Sequence, residues 1–445
     1  MYTMISSTNR SGSNGSVRLS LAIVIVFAMV ASVSQLAAAP SRTNRRDPPA
    51  PADRRRPPEA PADHAIAPEP AEPEETAPER KYENLPVDLP LQRKESTIRT
   101  ILREGKFTGV EQTDDFDKFY TSYFLARWSL QNDVRNLHRY RQELSLHLRS
   151  ARNGEVHDHL NALVFDFMNR LIAGDFHPAV QINAMLMIGE LNQTEQIGRE
   201  AAVPSPETMK MLLKASEDAK LSDGLRAAAM IGILRHATAS IQDDDARKSL
   251  GAAMLRLAAA ELPTGAAAPG RAWIRAQAIE TLGALGSVGE NNAVFKTLLD
   301  AVADAKLPLS VRIAAANSLG NLDYSSAGGI NPSEAATALG QLAADACANE
   351  LQLAKDSGGA VSRRRLVLCL DAVIAAIVGG DDTSRKGVAS LAKEADQQAI
   401  LDELTKTITT ACETLDDRRH TDDDMTPIVK ELQTKLATWL QKKPK

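Results

Sequence analysis

A chain of 445 residues with a net charge of −5 and a pI near 6.0 lacks the cationic excess with which proteins neutralise many phosphates, so its composition argues against a nucleic-acid-binding surface. Apolar residues make up 43% and aromatics only 4%, Ala and Leu dominate, and no stretch alternates with period two. Strands therefore have little support, and the fold should be nearly all helix.

At the N-terminus, Arg10 and Arg18 precede an apolar run from Leu19 to Val33, and Ala37-Ala38-Ala39 follows. This is the pattern of a secretory signal with a small-residue cleavage region, assigned to residues 1–39. The run is shorter than the ~20 residues of a spanning helix, which favours a removed signal and an exported chain, in the periplasm or cell envelope. Pro40 and the arginines from Arg42 to Arg56 oppose cleavage and translocation, so the competing expectation is a membrane tether that keeps the apolar segment. Residues 40–94 form the next unit. From Pro40 to Pro90 lie 13 of the 22 prolines, and a core cannot form there. This predicts a disordered, semi-extended Pro-rich linker, basic from Arg42 to Arg56 and acidic from Glu69 to Glu79.

Order is expected near Glu95, opening an N-terminal helical cap over residues 95–174. Phe116, Phe119, Tyr120, Tyr123, Phe124 and Trp128 recur at three- and four-residue spacing, which predicts one face of an amphipathic helix. Further helices are expected over about Asp133 to Arg149 and Glu155 to Ile172.

A short pattern then occurs four times. It reads Val180-Gln181-x-x-Ala184-x-x-x-Ile188-Gly189, Leu225-Arg226-x-x-Ala229-x-x-x-Ile233, Ile274-Arg275-x-x-Ala278-x-x-x-Leu282-Gly283 and Val311-Arg312-x-x-Ala315-x-x-x-Leu319-Gly320. The starts are 45, 49 and 37 residues apart by subtraction, the period of stacked two-helix repeats. Each motif helix is preceded by a first helix, at about Pro206 to Ala219, Asp244 to Leu262, Asn291 to Ala305 and Pro332 to Leu353. Ser205 before Pro206 and Asn331 before Pro332 are read as N-caps. Later helices are expected over Arg363 to Val378, Gln397 to Leu415 and Pro427 to Gln441. The repeats occupy residues 175–380 and C-terminal helices residues 381–445.

Asp175-Phe176-His177-Pro178-Ala179-Val180-Gln181 running on to Ile188-Gly189-Glu190-Leu191, and Leu309-Ser310-Val311-Arg312 through Leu319-Gly320-Asn321-Leu322, resemble HEAT repeats. The resemblance covers roughly Glu155 to Val378. Gln181 replaces the usual Arg, Leu234 replaces the Gly, and Pro stands at the turn in repeats one and four alone. The resemblance implies an all-α, right-handed α-solenoid of HEAT-like helical hairpins that binds other macromolecules. With its signal and linker, the chain is similar to exported bacterial HEAT-repeat proteins of undescribed role.

On each motif helix the apolar residue, the Ala and the following Leu or Ile lie in one stripe that faces the partner helix. The opposite stripe is Ile182, Met185 and Leu186 in repeat one and Ala227, Met230 and Ile231 in repeat two. Such all-round apolar helices need cover on both sides. Three arrangements supply it: the aromatic helix folds over the first two repeats, it packs on its own sequence neighbours, or Met185, Met230 and Ile231 line an open groove for a partner helix. Repeats three and four turn polar at Glu280 and Asn317, which predicts a water-facing groove around Glu280, Asn317 and Asn321. The recurring Arg226, Arg275 and Arg312 are expected to pair with acids of the neighbouring turn, such as Asp223 or Asp300, the alternative being a basic strip.

No constellation points to a reaction. His157 and His159 bracket Asp158 but point to different sides of a helix, and the sequence has no His-Glu-x-x-His, Cys-x-x-Cys, Gly-x-Ser-x-Gly or phosphate-binding loop. His177 and His236, each at a helix boundary, are read as caps on carbonyls. Asp422 to Asp424 are expected to favour the start of the last helix. Cys347, Cys369 and Cys412 read as buried small hydrophobes, or as one bridge and one free thiol. The expectation is a non-enzymatic exported scaffold with no cofactor and no metal, binding a protein or peptide and not nucleic acid. Its rivals are a membrane-tethered adaptor and an accessory subunit of an envelope enzyme.

Overall fold

The computed structural model describes residues 80–239, 241, 243–380, 386–417 and 419–442. The signal segment and the linker before residue 80 lie outside them. Among the described residues fifteen α-helices pack in series with one short two-stranded ribbon, and no helix is long and apolar enough to cross a membrane.

Residues 80–94, assigned above to the linker, are seated on the helices. An extended stretch is held by Glu83 N to Asp175 O (2.9 Å), Leu85 N to Ser129 Oγ (2.8 Å) and Asp88 N to Ser122 O (2.8 Å). A 3-10 turn at Leu89–Lys94 leads into α1 (Glu95–Glu104). The aromatic segment departs from a single helix. It runs as α2 (Val110–Phe119), a π turn over Tyr120–Phe124 and a 3-10 turn over Ala126–Ser129. Phe119, Tyr120, Tyr123, Phe124 and Trp128 are all buried, a wider apolar surface than one α-helical stripe offers. The π turn, closed by Leu125 N to Tyr120 O at 2.8 Å, lets these rings enter one cluster. Phe116 joins Tyr120 to Phe107 and the imidazole of His159, and Phe124 meets that of His147; His147 lies on α3 (Leu137–Ala151) and His159 on α4 (Glu155–Ala173). The aromatic segment therefore packs on its sequence neighbours, the second of the three arrangements.

The repeats follow. The motif helices are α5 (Pro178–Glu190), α7 (Asp223–Thr238), α9 (Ala268–Leu285) and α11 (Leu309–Gly320), with α13 (Arg363–Val378) continuing the row. Their partners are α4, α6 (Pro206–Glu217), α8 (Asp244–Ala259), α10 (Ala293–Ala303) and α12 (Pro332–Ser357). Each motif helix packs on its partner and on the next motif helix, whereas successive partner helices touch far less. Ala184, Ala229, Ala278 and Ala315 are fully buried, where a small side chain lets helix axes approach. The motif glycines mark a second close approach, between neighbouring motif helices. A Cβ on Gly189 would stand 2.9 Å from Gly232 Cα, one on Gly283 2.9 Å from Ser318 Cα, and one on Gly320 2.2 Å from the Ala375 carbonyl oxygen.

The recurring arginine has a constant partner, and it is not a carboxylate. Arg226 Nε donates to Ser216 O (2.9 Å), Arg275 Nη1 to Ala260 O (3.1 Å) and Arg312 Nε to Val302 O (2.9 Å). Gln181 does the same, with Nε2 on Ile172 O (3.1 Å) and Gly174 O (2.9 Å). These carbonyls end the preceding helix, where intrahelical partners run out and cations are favoured. The residue after the first apolar position thus ties its helix to its partner. Acids join as well: Asp223 lies 3.6 Å from Arg226, as expected, and Asp345 2.9 Å from Arg312.

At the C-terminus α14 (Ala395–Asp416) packs on α13, and α15 (Asp422–Lys442) packs on α12 with Trp439 against Gly340. The last helix opens five residues before Pro427, not at it. Asp424 Oδ2 accepts from Thr421 N (2.7 Å) and Thr421 Oγ1 (2.9 Å), so the Asp424 carboxylate satisfies the amide just ahead of the helix and sets the start earlier. Asn331 Oδ1 caps Ser333 N at 3.0 Å as expected, but Ser205 makes no side-chain cap. After a 3-10 turn at Gly265–Ala267, α9 begins at Ala268 with Pro269 in its first turn. One ribbon went unforeseen, β1 (Asn192–Thr194) against β2 (Val203–Pro204), antiparallel.

Candidate partner-binding face

Side-by-side motif helices bring equivalent positions of consecutive repeats into register. Two positions per helix, the second and sixth after the first apolar residue, lie opposite the seam stripe by helical spacing: Ile182 and Leu186, Ala227 and Ile231, Ala276 and Glu280, Ile313 and Asn317, of which Ala276 is buried. The face is apolar and half-buried at α5 and α7 and carries polar groups at Glu280 of α9 and Asn317 of α11. Met185 and Met230 are fully buried, so neither lines an open groove. The far edge of α5 is covered by α3, whose Arg141 reaches Asn183 Oδ1 (2.8 Å) and Glu190 Oε1 (3.0 Å).

The three residues chosen from sequence fall on adjacent helices but differ in exposure. Asn317 is exposed. Asn321 is half-buried, and its Oδ1 stands 2.5 Å from where a Cβ on Gly380 would lie. Glu280 is half-buried beside its helix-mate Gln277, whose Nε2 donates to Oε2 at 2.6 Å. Burial raises the Glu280 carboxyl, and the Gln277 bond offsets this only in part. Glu280 is thus a constrained, half-buried wall of the face.

The histidines are structural. His157 is wholly buried, with Nε2 3.6 Å from Glu195 Oε1 and Nδ1 3.1 Å from Asp158 Oδ1. Burial would lower its pKa, but the hydrogen bonds and charges of Glu195 and Asp158 outweigh that and raise it above 6.5. Glu195 is itself 7% exposed. It accepts from Asn192 Nδ2 (3.0 Å), while its backbone N–H donates to Asn153 Oδ1 (2.7 Å). Asn161 Nδ2 reaches Asn192 O (2.9 Å), and Arg235 of α7 bonds Gly189 O (2.9 Å) and the Asn192 side chain. This polar joint ties the β1–β2 ribbon to α4 and α7. His177 Nδ1 accepts from Ala179 N at 3.1 Å, capping an amide and not a carbonyl. His236 Nε2 lies 3.1 Å from Thr208 Oγ1, and burial lowers its pKa to about 4. His159 and Asp117 pair at 2.6 Å on the aromatic cluster.

The cysteines are free and buried, and burial lifts each thiol to about 12. Among the described residues no group of three or more His, Cys, Asp or Glu side chains is arranged to hold a metal ion. Two shallow depressions lie off the motif face. One, of about 760 Å³, is bounded by Arg80, Lys81, Asn84 and the stretch from Leu130 to Asp133; the other, of about 460 Å³, by Arg363, Arg364, Val367 and Asp416. The chain matches no protein-family model and no curated protein.

Proposed function

We propose that this chain is a non-enzymatic, exported scaffold, a right-handed α-solenoid of HEAT-like hairpins whose row of motif helices binds a protein or peptide. The observation that supports this reading is the register of the motif helices. Each packs against the next, so the second and sixth positions of consecutive repeats form one continuous face that changes from apolar at Leu186 and Ile231 to polar at Asn317. An elongated partner laid along that face contacts one or two side chains per repeat.

The test is affinity capture from the envelope fraction with three baits: the natural chain, Ile231→Glu and Asn317→Arg. A partner retained by the natural chain and lost from both variants, with their melting curves unchanged, supports the proposal. Capture that is indifferent to both substitutions removes the motif face from the interaction.

A further inference from the structure

We infer that the outward face of α3 docks an acidic amphipathic peptide segment, forming the first part of the partner-binding row; the inference rests on the reading above and names the chemistry of the partner. Arg135, His138, Arg139, Gln142, Leu146 and Arg149 are all exposed, and their three- and four-residue spacing puts them on one side of the helix and the turn before it. Arg135, Arg139 and Arg149 are in no ion pair among the described residues. Arg149 Nε donates to the Ser145 carbonyl (3.2 Å), one turn back on its own helix. The two acids of this stretch are turned elsewhere: Asp133 bonds Tyr140 and Asn136, and Glu143 lies 3.8 Å from Arg127. Leu146, 56% exposed, sits in the middle of the cations.

The adjoining edge of α3 fixes where this face leads. Arg141 and Ser145 are bonded to Asn183 and Glu190 of α5, so the arginine stripe borders the helix that carries Ile182 and Leu186. A ligand crossing from α3 to α5 meets guanidinium groups first and half-buried aliphatic side chains next. Guanidinium forks match carboxylates in paired hydrogen bonds, and the apolar stretch beyond them asks for leucine-like side chains at helical spacing. A segment with acids on one part of its surface and leucines on another meets both demands. An anionic membrane is a poorer match, because Leu146 is the single strongly exposed apolar side chain on the stripe and binding at a lipid surface scales with buried apolar area. Nucleic acid is poorer still in a chain of net charge −5.

Fluorescence anisotropy on the full chain tests this with a labelled peptide of about 18 residues, five turns of helix, built from Glu, Ala and Leu with leucines three and four apart. Comparison probes are its Glu→Gln counterpart, phosphatidylglycerol vesicles and a single-stranded oligonucleotide. The Glu peptide is expected to bind more tightly than the Gln peptide and to weaken as salt rises. Joint Arg135→Glu, Arg139→Glu and Arg149→Glu substitution should lower its affinity about tenfold or more. Equal affinity of the natural and charge-reversed chains for the Glu peptide overturns the inference, as does binding of vesicles or oligonucleotide without the peptide. Ile231→Glu separates the two proposals. If it weakens both peptides while charge reversal changes nothing, the motif face stands and the α3 assignment falls; if charge reversal alone matters, α3 docking stands and the row loses its continuity.

Discussion

Two glycine substitutions of the same chemical kind should move stability in opposite directions. Gly251 lies mid-helix in α8, and the nearest atom to a Cβ placed there is Leu285 Cδ1 at 3.9 Å, ordinary contact. Gly251→Ala then gains helix propensity without a clash, worth about 0.8–1 kcal/mol. Gly283 also lies within a helix, α9, but a Cβ there would meet Ser318 Oγ at 2.7 Å, Cβ at 2.8 Å and Cα at 2.9 Å. The near atoms include backbone, and Ser318 is tied to α9 by its Oγ bond to Ile279 O at 3.0 Å, so it has no free rotamer to retreat into. Forcing α9 and α11 apart costs about 1–3 kcal/mol by overpacking, which outweighs the same propensity gain at most of that range. Urea unfolding of the full chain followed by far-ultraviolet circular dichroism compares the two midpoints with the natural protein. Gly251→Ala should raise the midpoint and Gly283→Ala lower it. If both rise alike, the motif helices do not cross at Gly283, and the register that assembles the candidate face is wrong.

Arg312→Met should destabilise by about 3 kcal/mol in the same unfolding assay, because it strands the Val302 carbonyl and leaves Asp345 without its cation in a largely buried setting; a loss below about 0.5 kcal/mol would show that the tie between hairpin helices is dispensable. His147 and His236 are both lowered from 6.5 to about 4 by burial, so the unfolded chain binds more protons between those values and stability falls as pH drops from 6.5 toward 4. The shift, 6.5 less about 4, corresponds to about 3 kcal/mol per histidine. His157, shifted upward, acts in the opposite sense; the net slope is read from urea midpoints at successive pH values, and His236→Asn should flatten it. With every thiol raised to about 12 by burial, iodoacetamide should label Cys347, Cys369 and Cys412 only as fast as the protein opens, and rapid labelling of the native chain at pH 8 would contradict their packing.

Periodicity made the helices of the repeats legible because packing against a partner requires the same apolar spacing in every copy. Residues Arg363 to Val378 were assigned to one helix and form one, and the Asn331 cap followed from chemistry local to four residues. What escaped depends on contacts distant in sequence. The seat of residues 80–88 rests on Asp175, Ser129 and Ser122, and an extended stretch bonded by its backbone carries no periodic signal. The π turn at Tyr120–Phe124 arises because several large rings compete for one cluster, a conflict that spacing alone resolves wrongly as a longer α-helix. The Arg226–Asp223 pair was legible, but the bond of the recurring arginine to a helix-end carbonyl was not, for a related reason. Nearby acids are visible in a sequence, whereas the unpaired carbonyls at a helix end are present whatever the residue type. Of the candidate face, its position on the motif helices was legible and the burial of Glu280 was not, since neighbouring side chains set that exposure.

Repeat two carries Leu234 where the other repeats carry a glycine, and its Gly232 serves the preceding interface instead. The approach of α5 to α7 is made by Gly189 against Gly232, two positions before Leu234, so the small residue is supplied by the following helix as well as by the preceding one. This assigns every recurring element of the pattern to internal packing: the first apolar residue and the alanine to the partner helix, the arginine or glutamine to its carbonyl end, the glycine to the next motif helix. None is left to meet a ligand. The second and sixth positions, released from those tasks, vary from Leu186 and Ile231 to Glu280 and Asn317, and under the function proposed above that variation at fixed geometry would set preference along the row. Exchanging Leu186 with Asn317 therefore should redirect what binds while leaving the fold intact, whereas exchanging Gly283 with any larger residue should do the reverse.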